Sequence, residues 1–386
     1  MLKFFRTMFR VRPKRELREL YLFLFFFAFA GSLVAIFLPV FLLQLGFSLS
    51  GIAFYYAIHY TIYVVLMPLG AQFAARFGYE RSLAMSTPIL IVHFLLLSQL
   101  PNYPSLFWIA PGILALHKIF YWPAYHANFA TFSDAGNRGT EQSWVRLIAF
   151  SSGIVGPTLG GFVALRFGFS ALFIVAAASL VLAVLVMLRT DEHQAEADFP
   201  YASPWQFLRR PTQRRLIVAM IGWGENLIHM VYWPIFLFTV FQNTAQLGLV
   251  ISAATALAMA LGFGIGELSD RLSARRVLRS AAPFLSATYL ARIFFAGAPV
   301  GAAVASGYNQ VAQSGYQIPF ISRLNRNAKQ SRQPLVYAVA FEMTLAIVKG
   351  LLAWLLVIVL PVVGLAEGFI LLWVIAGLLA LFYAAL

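Results

Sequence analysis

The chain has 386 residues, of which 61% are hydrophobic and 11% charged, against roughly 45–50% and 25% in soluble domains. That balance excludes a soluble globular enzyme, a disordered chain and a fibrous protein, and leaves a polytopic membrane protein. The net charge of +14 would suggest nucleic acid in a soluble protein; in a membrane protein it asks on which side of the bilayer the cations sit.

A helix needs about 20 apolar residues to cross about 30 Å of hydrocarbon. The basic start, Met1 to Arg18, is followed by an apolar run too long for a signal peptide, so that run is read as the first span. Apolar runs fall at about 20–45, 50–75, 83–100, 105–132, 146–166 and 170–189. A polar stretch follows from Thr190 to Arg215, in which Ser203-Pro204-Trp205-Gln206-Phe207-Leu208 predicts a short interfacial helix. Six more runs fall at about 216–240, 246–267, 277–296, 299–320, 334–360 and 363–386. Strands of a barrel would alternate polar and apolar residues over about 10 positions, and these runs do not. The expected fold is therefore all-α with twelve transmembrane helices in two six-helix bundles. Its parts are a basic tail (1–19), an N-terminal bundle (20–189), a linker (190–215) and a C-terminal bundle (216–386).

The cations sort cleanly on this plan. The tail holds Lys3, Arg6, Arg10, Arg12, Lys14, Arg15 and Arg18. The even-numbered gaps and the linker hold Arg76, Arg81, Arg138, Arg146, Arg189, Arg209, Arg210, Arg214, Arg215, Arg271, Arg275, Arg276, Arg279, Arg323, Arg326, Lys329 and Arg332. Together these make 24 of the 28. Odd gaps hold Arg166 alone, and Lys118, Arg292 and Lys349 fall inside runs. By the positive-inside rule both termini and the linker face the cytoplasm. The tail then lies against anionic lipid rather than nucleic acid. There are no cysteines, hence no disulfides. No phosphate-cradling loop, nucleophilic triad or metal-ligand spacing occurs, so neither an ATP-driven pump, an enzyme, a metal site nor a cofactor is expected.

Two gaps echo one another. Gly266-Glu267-Leu268-Ser269-Asp270-Arg271-Leu272-Ser273-Ala274-Arg275-Arg276 follows the second span of its half, and Ala71 to Arg81 follows the second span of the other, with Arg76 aligned to Arg271. The fifth span carries Gly153, then Gly156-Pro157-Thr158-Leu159-Gly160-Gly161. Small residues let helices approach closely, and Pro157 can bend its helix. Pro39, Pro123, Pro234 and Pro319 lie late in spans 1, 4, 7 and 10. In these features the chain resembles the major facilitator superfamily. Its cytoplasmic signature G-x-x-x-D-R-x-G-R-[RK] is matched by Gly266, Asp270, Arg271 and Arg275, while Ala75 stands where the N-terminal copy would carry the acid. The span-5 glycines resemble the G-x-x-x-G-P-x-x-G-G signature of the exporter branch. The resemblance implies alternating access, with Asp270, Arg271, Arg76, Gly156 and Pro157 in gating. Plain helix packing is the other reading of the span-5 glycines.

Ionisable residues inside a membrane should be paired or face water. Glu225 and His229 lie mid-span four apart, and Glu342 and Lys349 seven apart, each pair on one helical face. Glu225, with His229 and Glu342, is the candidate for proton coupling. Lys118 is read either as a substrate cation or as the counter-charge of Glu225. Glu342 and Lys349 are read as a structural pair, and Arg292 as interfacial. His59, His117, Lys118, Trp122, Tyr125, Asn226, Trp233, Asn309, Gln313 and Lys349 are the candidate cavity residues. Of these, Asn309 and Gln313 share a polar stripe with Gln317.

The expected function is secondary active transport, as proton-coupled export of a small organic or amphipathic compound, in the cytoplasmic (inner) membrane of a bacterium. One alternative is an importer or uniporter of a small solute, anionic if Lys118 and Lys349 bind it. Another is a non-transporting receptor or lipid-translocating protein on the same scaffold.

Overall fold

The computed structural model describes residues 15–132, 138–187, 199–271, 274–295, 297–330 and 333–385. Within those ranges only the backbone is described for 15–18, 20, 127–132, 138–146, 187, 263–271, 274–275, 322–330 and 334. The basic tail up to Lys14 and the acidic part of the linker lie outside them. Among the described residues every regular element is helical.

The first apolar run forms two helices, α1 (Arg15–Val34) and α2 (Phe37–Gln44). Pro39 explains the interruption: it has no N–H for the carbonyl of Ala35, and its ring crowds that carbonyl. Gly46 adopts φ +88° and turns the chain into α3 (Leu49–Phe77), whose first turn is capped by Ser48 Oγ accepting from the Gly51 amide at 3.1 Å. Next come α4 (Tyr79–Gln99), a 3₁₀ turn (Pro104–Trp108) and α5 (Ala110–Phe132). Runs five and six are one helical segment, α6 (Arg138–Met187), broken at Gly168 with φ 84°. One glycine therefore does the work of the expected loop.

The linker contributes α7 (Ser203–Leu208), where a short interfacial helix is expected. Phe207 packs edge-on against Tyr337 at 5.5 Å, while the Tyr201 hydroxyl donates to the Val65 carbonyl at 2.8 Å. The linker thus touches both halves. The seventh run is in pieces: α8 (Arg214–Ile221), α9 (Gly224–Leu227), a π-helical turn (Ile228–Tyr232) and α10 (Trp233–Phe241). Pro234 cannot donate to the Met230 carbonyl, and the wider π turn absorbs that missing bond. The chain ends in α11 (Thr244–Arg271), α12 (Ala274–Phe295), α13 (Pro299–Gln330), α14 (Pro334–Val359), α15 (Leu365–Ala380) and a 3₁₀ turn (Leu381–Ala385).

Among the described residues seven helical segments are long and apolar enough to cross a membrane, one of them Leu147–Val186 with 40 residues, about twice what one crossing needs. The halves meet where α6 runs along α11 and where α14 runs along α3 and α5. At the first seam the span-5 glycines make the approach possible. A Cβ on Gly161 would strike the Thr244 carbonyl, and one on Gly248 the Pro157 carbonyl. Thr244 Oγ1 donates to the Gly161 carbonyl at 2.9 Å, and Thr158 donates to Ser252 Oγ from both its amide (3.1 Å) and its hydroxyl (2.8 Å). Gly156 and Gly160 face α1, at Ser32 and Leu33.

Candidate functional site: a buried carboxylate and a lysine pair

Glu225, in α9, is fully buried. Its Oε2 accepts from the Tyr289 hydroxyl on α12 and from Gln313 Nε2 on α13 at 2.9 Å. Its Oε1 accepts from Tyr316 and Tyr383, each at 3.0 Å. Gln317 Nε2 in turn donates to Gln313 Oε1 at 3.2 Å. Four donors thus fill the roughly four lone-pair sites of a carboxylate. The polar stripe on α13 turns its face to Glu225 at Gln313. Asn309, a turn away, donates to Thr288 Oγ1 at 2.9 Å.

Among the described residues no cation is hydrogen-bonded to this carboxylate. One cation is held a ring away: the Arg292 guanidinium is buried over Trp233 (3.8 Å), Tyr289 (4.6 Å) and Trp373 (5.0 Å). None of its three nitrogens has a hydrogen-bond partner. The expectation that Arg292 is interfacial is corrected here, because α15 and α10 cover that end of α12 with Trp373 and Trp233. Trp233 Nε1 donates to Ser306 Oγ at 3.1 Å. His229 does not join the tyrosine shell of Glu225; it faces Gln310 and Arg292, and its Nδ1 is without a partner.

A second cluster lies where the halves meet. Lys349 Nζ donates to Asn226 Oδ1 at 2.7 Å and lies 5.7 Å from the Trp223 ring and 6.0 Å from the Tyr60 ring. Lys118 Nζ, from the other half, lies 5.7 Å from the same Tyr60 ring. Two readings change. Lys118 faces Tyr60 and makes no ion pair with Glu225. Glu342 does not pair with Lys349: it accepts from the Tyr63 hydroxyl at 3.0 Å and meets His126 Nε2 at 3.0 Å, reaching across the halves to α3 and α5. His126 stacks on Trp122 at 5.5 Å, and Tyr125 stacks on Tyr121 at 5.5 Å.

Two cavity candidates are packing residues. His117 Nδ1 bonds the Ser86 carbonyl at 2.9 Å with its ring against Phe27 and Tyr121. His59 Nδ1 bonds the Pro111 carbonyl at 3.3 Å. Asp270 and Arg271 end α11, and their side chains lie outside the described residues. Arg76 is exposed, its guanidinium 5.4 Å from the Phe77 ring. Sequence reasoning missed the tyrosine shell. The signal available for Tyr316 was its position, three residues after Gln313 on a polar face.

The sequence profile of the Major Facilitator Superfamily matches residues 20–351. The chain belongs to this superfamily, and it is a multi-pass integral membrane transporter of small molecules, not an enzyme. It is 23% identical over 299 residues to a multi-drug resistance efflux pump PmrA homolog of Lactococcus lactis subsp. lactis (strain IL1403), covering 74% of this chain and 73% of that protein. Its fold is similar to the crystal structure of a D-xylose–proton symporter, with a TM-score of 0.73 and 14% identity over 95% of this chain and 96% of the other.

Proposed function

We propose that the chain is a proton-coupled exporter, an antiporter that moves a small organic or amphipathic compound by alternating access. In this reading twelve spans form two bundles, 20–189 and 216–386, joined by the linker 190–215. Both termini and the linker are cytoplasmic, in the inner membrane of a bacterium, with the tail on anionic lipid. The helical course of the described apolar runs and the one-sided distribution of cations support that plan. The efflux pump relative supports the direction.

The observation that carries proton coupling is the shell of Glu225. Burial opposes a charge on the carboxyl, and four donors favour it, so loosening the shell changes its protonation. A tyrosine hydroxyl can donate or accept, which lets the same shell hold either form. A lysine or arginine in its place has only donors to offer. Asn226, the next residue, accepts from Lys349. The proton site and the lysine cluster are therefore one peptide unit apart, beside a π-helical turn, an element frequent at functional sites. Movement of α9 on protonation reaches Lys349 directly. Arg76, Asp270 and Arg271 gate the cytoplasmic end, and Gly156 and Pro157 take part in gating through the packing of α6.

The test is flux in proteoliposomes under an imposed pH gradient, with a panel of labelled organic compounds, comparing wild type with Glu225→Gln. Gradient-driven flux in wild type and its loss in the variant are expected. Equal gradient-driven flux in both removes Glu225 from coupling, and flux indifferent to every ion gradient removes the antiport reading.

A further inference from the structure

The lysine cluster narrows the cargo. A cation inside a membrane protein is expected to be paired or to line a water-filled space. Lys118 and Lys349 come from opposite halves and converge on the ring of Tyr60. Neither forms an ion pair among the described residues. Glu342 is within Coulombic reach of both, but its oxygens are taken by Tyr63 and His126. Glu225 is closed in by its own four donors. Lys118 lies over Tyr60 and remains partly accessible although it sits in mid-helix. Lys349 also feels Glu225, which Arg292 offsets, so three cations against two carboxylates leave a local excess of one positive charge.

We propose that Lys118 and Lys349 form the anion subsite of the transported compound, holding the carboxylate or sulfonate of a small aromatic organic anion between the two halves. This rests on the transport reading above and specifies its substrate class. A monoanion cancels the excess charge, and the faces of Tyr60 and Trp223 receive a flat apolar body beside it. Because one lysine belongs to each half, the site is complete only when the halves are close.

Binding at equal pH on both sides, with no gradient, tests this on the full chain in nanodiscs. The probes are 1-naphthoate, 1-naphthalenesulfonate and the neutral isostere 1-naphthamide, followed by titration calorimetry. Both anions are expected to bind about ten-fold or more tightly than the amide. Lys118→Gln and Lys349→Gln are each expected to remove that preference without changing amide affinity, and Lys118→Arg to retain it. The proposal is overturned if wild type binds amide and anions alike, if it binds none of the three, or if both glutamine variants keep the preference. Should a glutamine variant fail to fold, the wild-type comparison and Lys118→Arg still decide. Failure here leaves the gradient experiment on Glu225 untouched, and loss of coupling there leaves this binding result standing.

Discussion

Glu225 and Arg292 do not touch: Tyr289 stands between them, giving its hydroxyl to the carboxylate and its ring face to the guanidinium at 4.6 Å. The two functions of that side chain are separable. Tyr289→Phe keeps the ring and loses the donor, which costs about 1.5–3 kcal/mol for a bond to a charged group. Tyr289→Leu loses both and costs a further ~0.5–2 kcal/mol. Thermal unfolding of the purified protein ranks the variants; equal losses for Phe and Leu would show that the ring does nothing for Arg292.

Arg292 itself is a buried cation whose three nitrogens lack hydrogen bonds. Taking a single cation out of water costs several kcal/mol, a cost that an apolar side chain of similar volume avoids. Arg292→Met is expected to keep or raise the melting temperature while lowering proton-driven flux, because Glu225 loses its Coulombic neighbour. A clear drop in melting temperature speaks against this, since it makes the aromatic cage a net source of stability.

Glu342 and His126 join the halves at 3.0 Å. If the contact is an interaction and not mere proximity, Glu342→Ala and His126→Ala are non-additive. A double-mutant cycle on thermal stability is expected to give a coupling of roughly 0.5–3 kcal/mol. Additivity within about 0.3 kcal/mol removes the contact from the interface.

The seam between α6 and α11 depends on missing side chains. Gly161→Ala and Gly248→Ala each place a Cβ against a facing backbone carbonyl, so the halves must part there. With no native cysteines, spin labels at Asn102→Cys and Gln246→Cys report the separation without interference. Longer distances are expected in both alanine variants; unchanged distributions mean that closure tolerates the extra atoms.

The apolar runs locate the helices because a chain surrounded by lipid must satisfy its backbone internally, and a helix does so within one segment. The same rule does not say where a helix breaks, so the π turn before Pro234 and the single-glycine joint at Gly168 were not readable as such. Glu225, Lys118 and Lys349 stood out because charges in hydrocarbon are rare. Their partners did not. Tyrosine is common at membrane interfaces, so Tyr289, Tyr316 and Tyr383 carried no signal in a chain with 16 tyrosines. Spacing along one helix suggested Glu342 with Lys349, but position on a face says nothing about what another half of the molecule presents to it. Arg292 misled for a related reason, since its depth is set by Trp233 and Trp373, residues distant in sequence.

The linker has a mechanical consequence. Tyr201 is fastened to α3 and Phe207 to α14, six residue steps along the chain. At about 1.5 Å per helical residue, that tether spans only about 9 Å. Rocking that separates the two attachment points by more than this must first release the Tyr201 hydroxyl or lift Phe207 from Tyr337. The short helix is thus a stop that sets the length of the stroke.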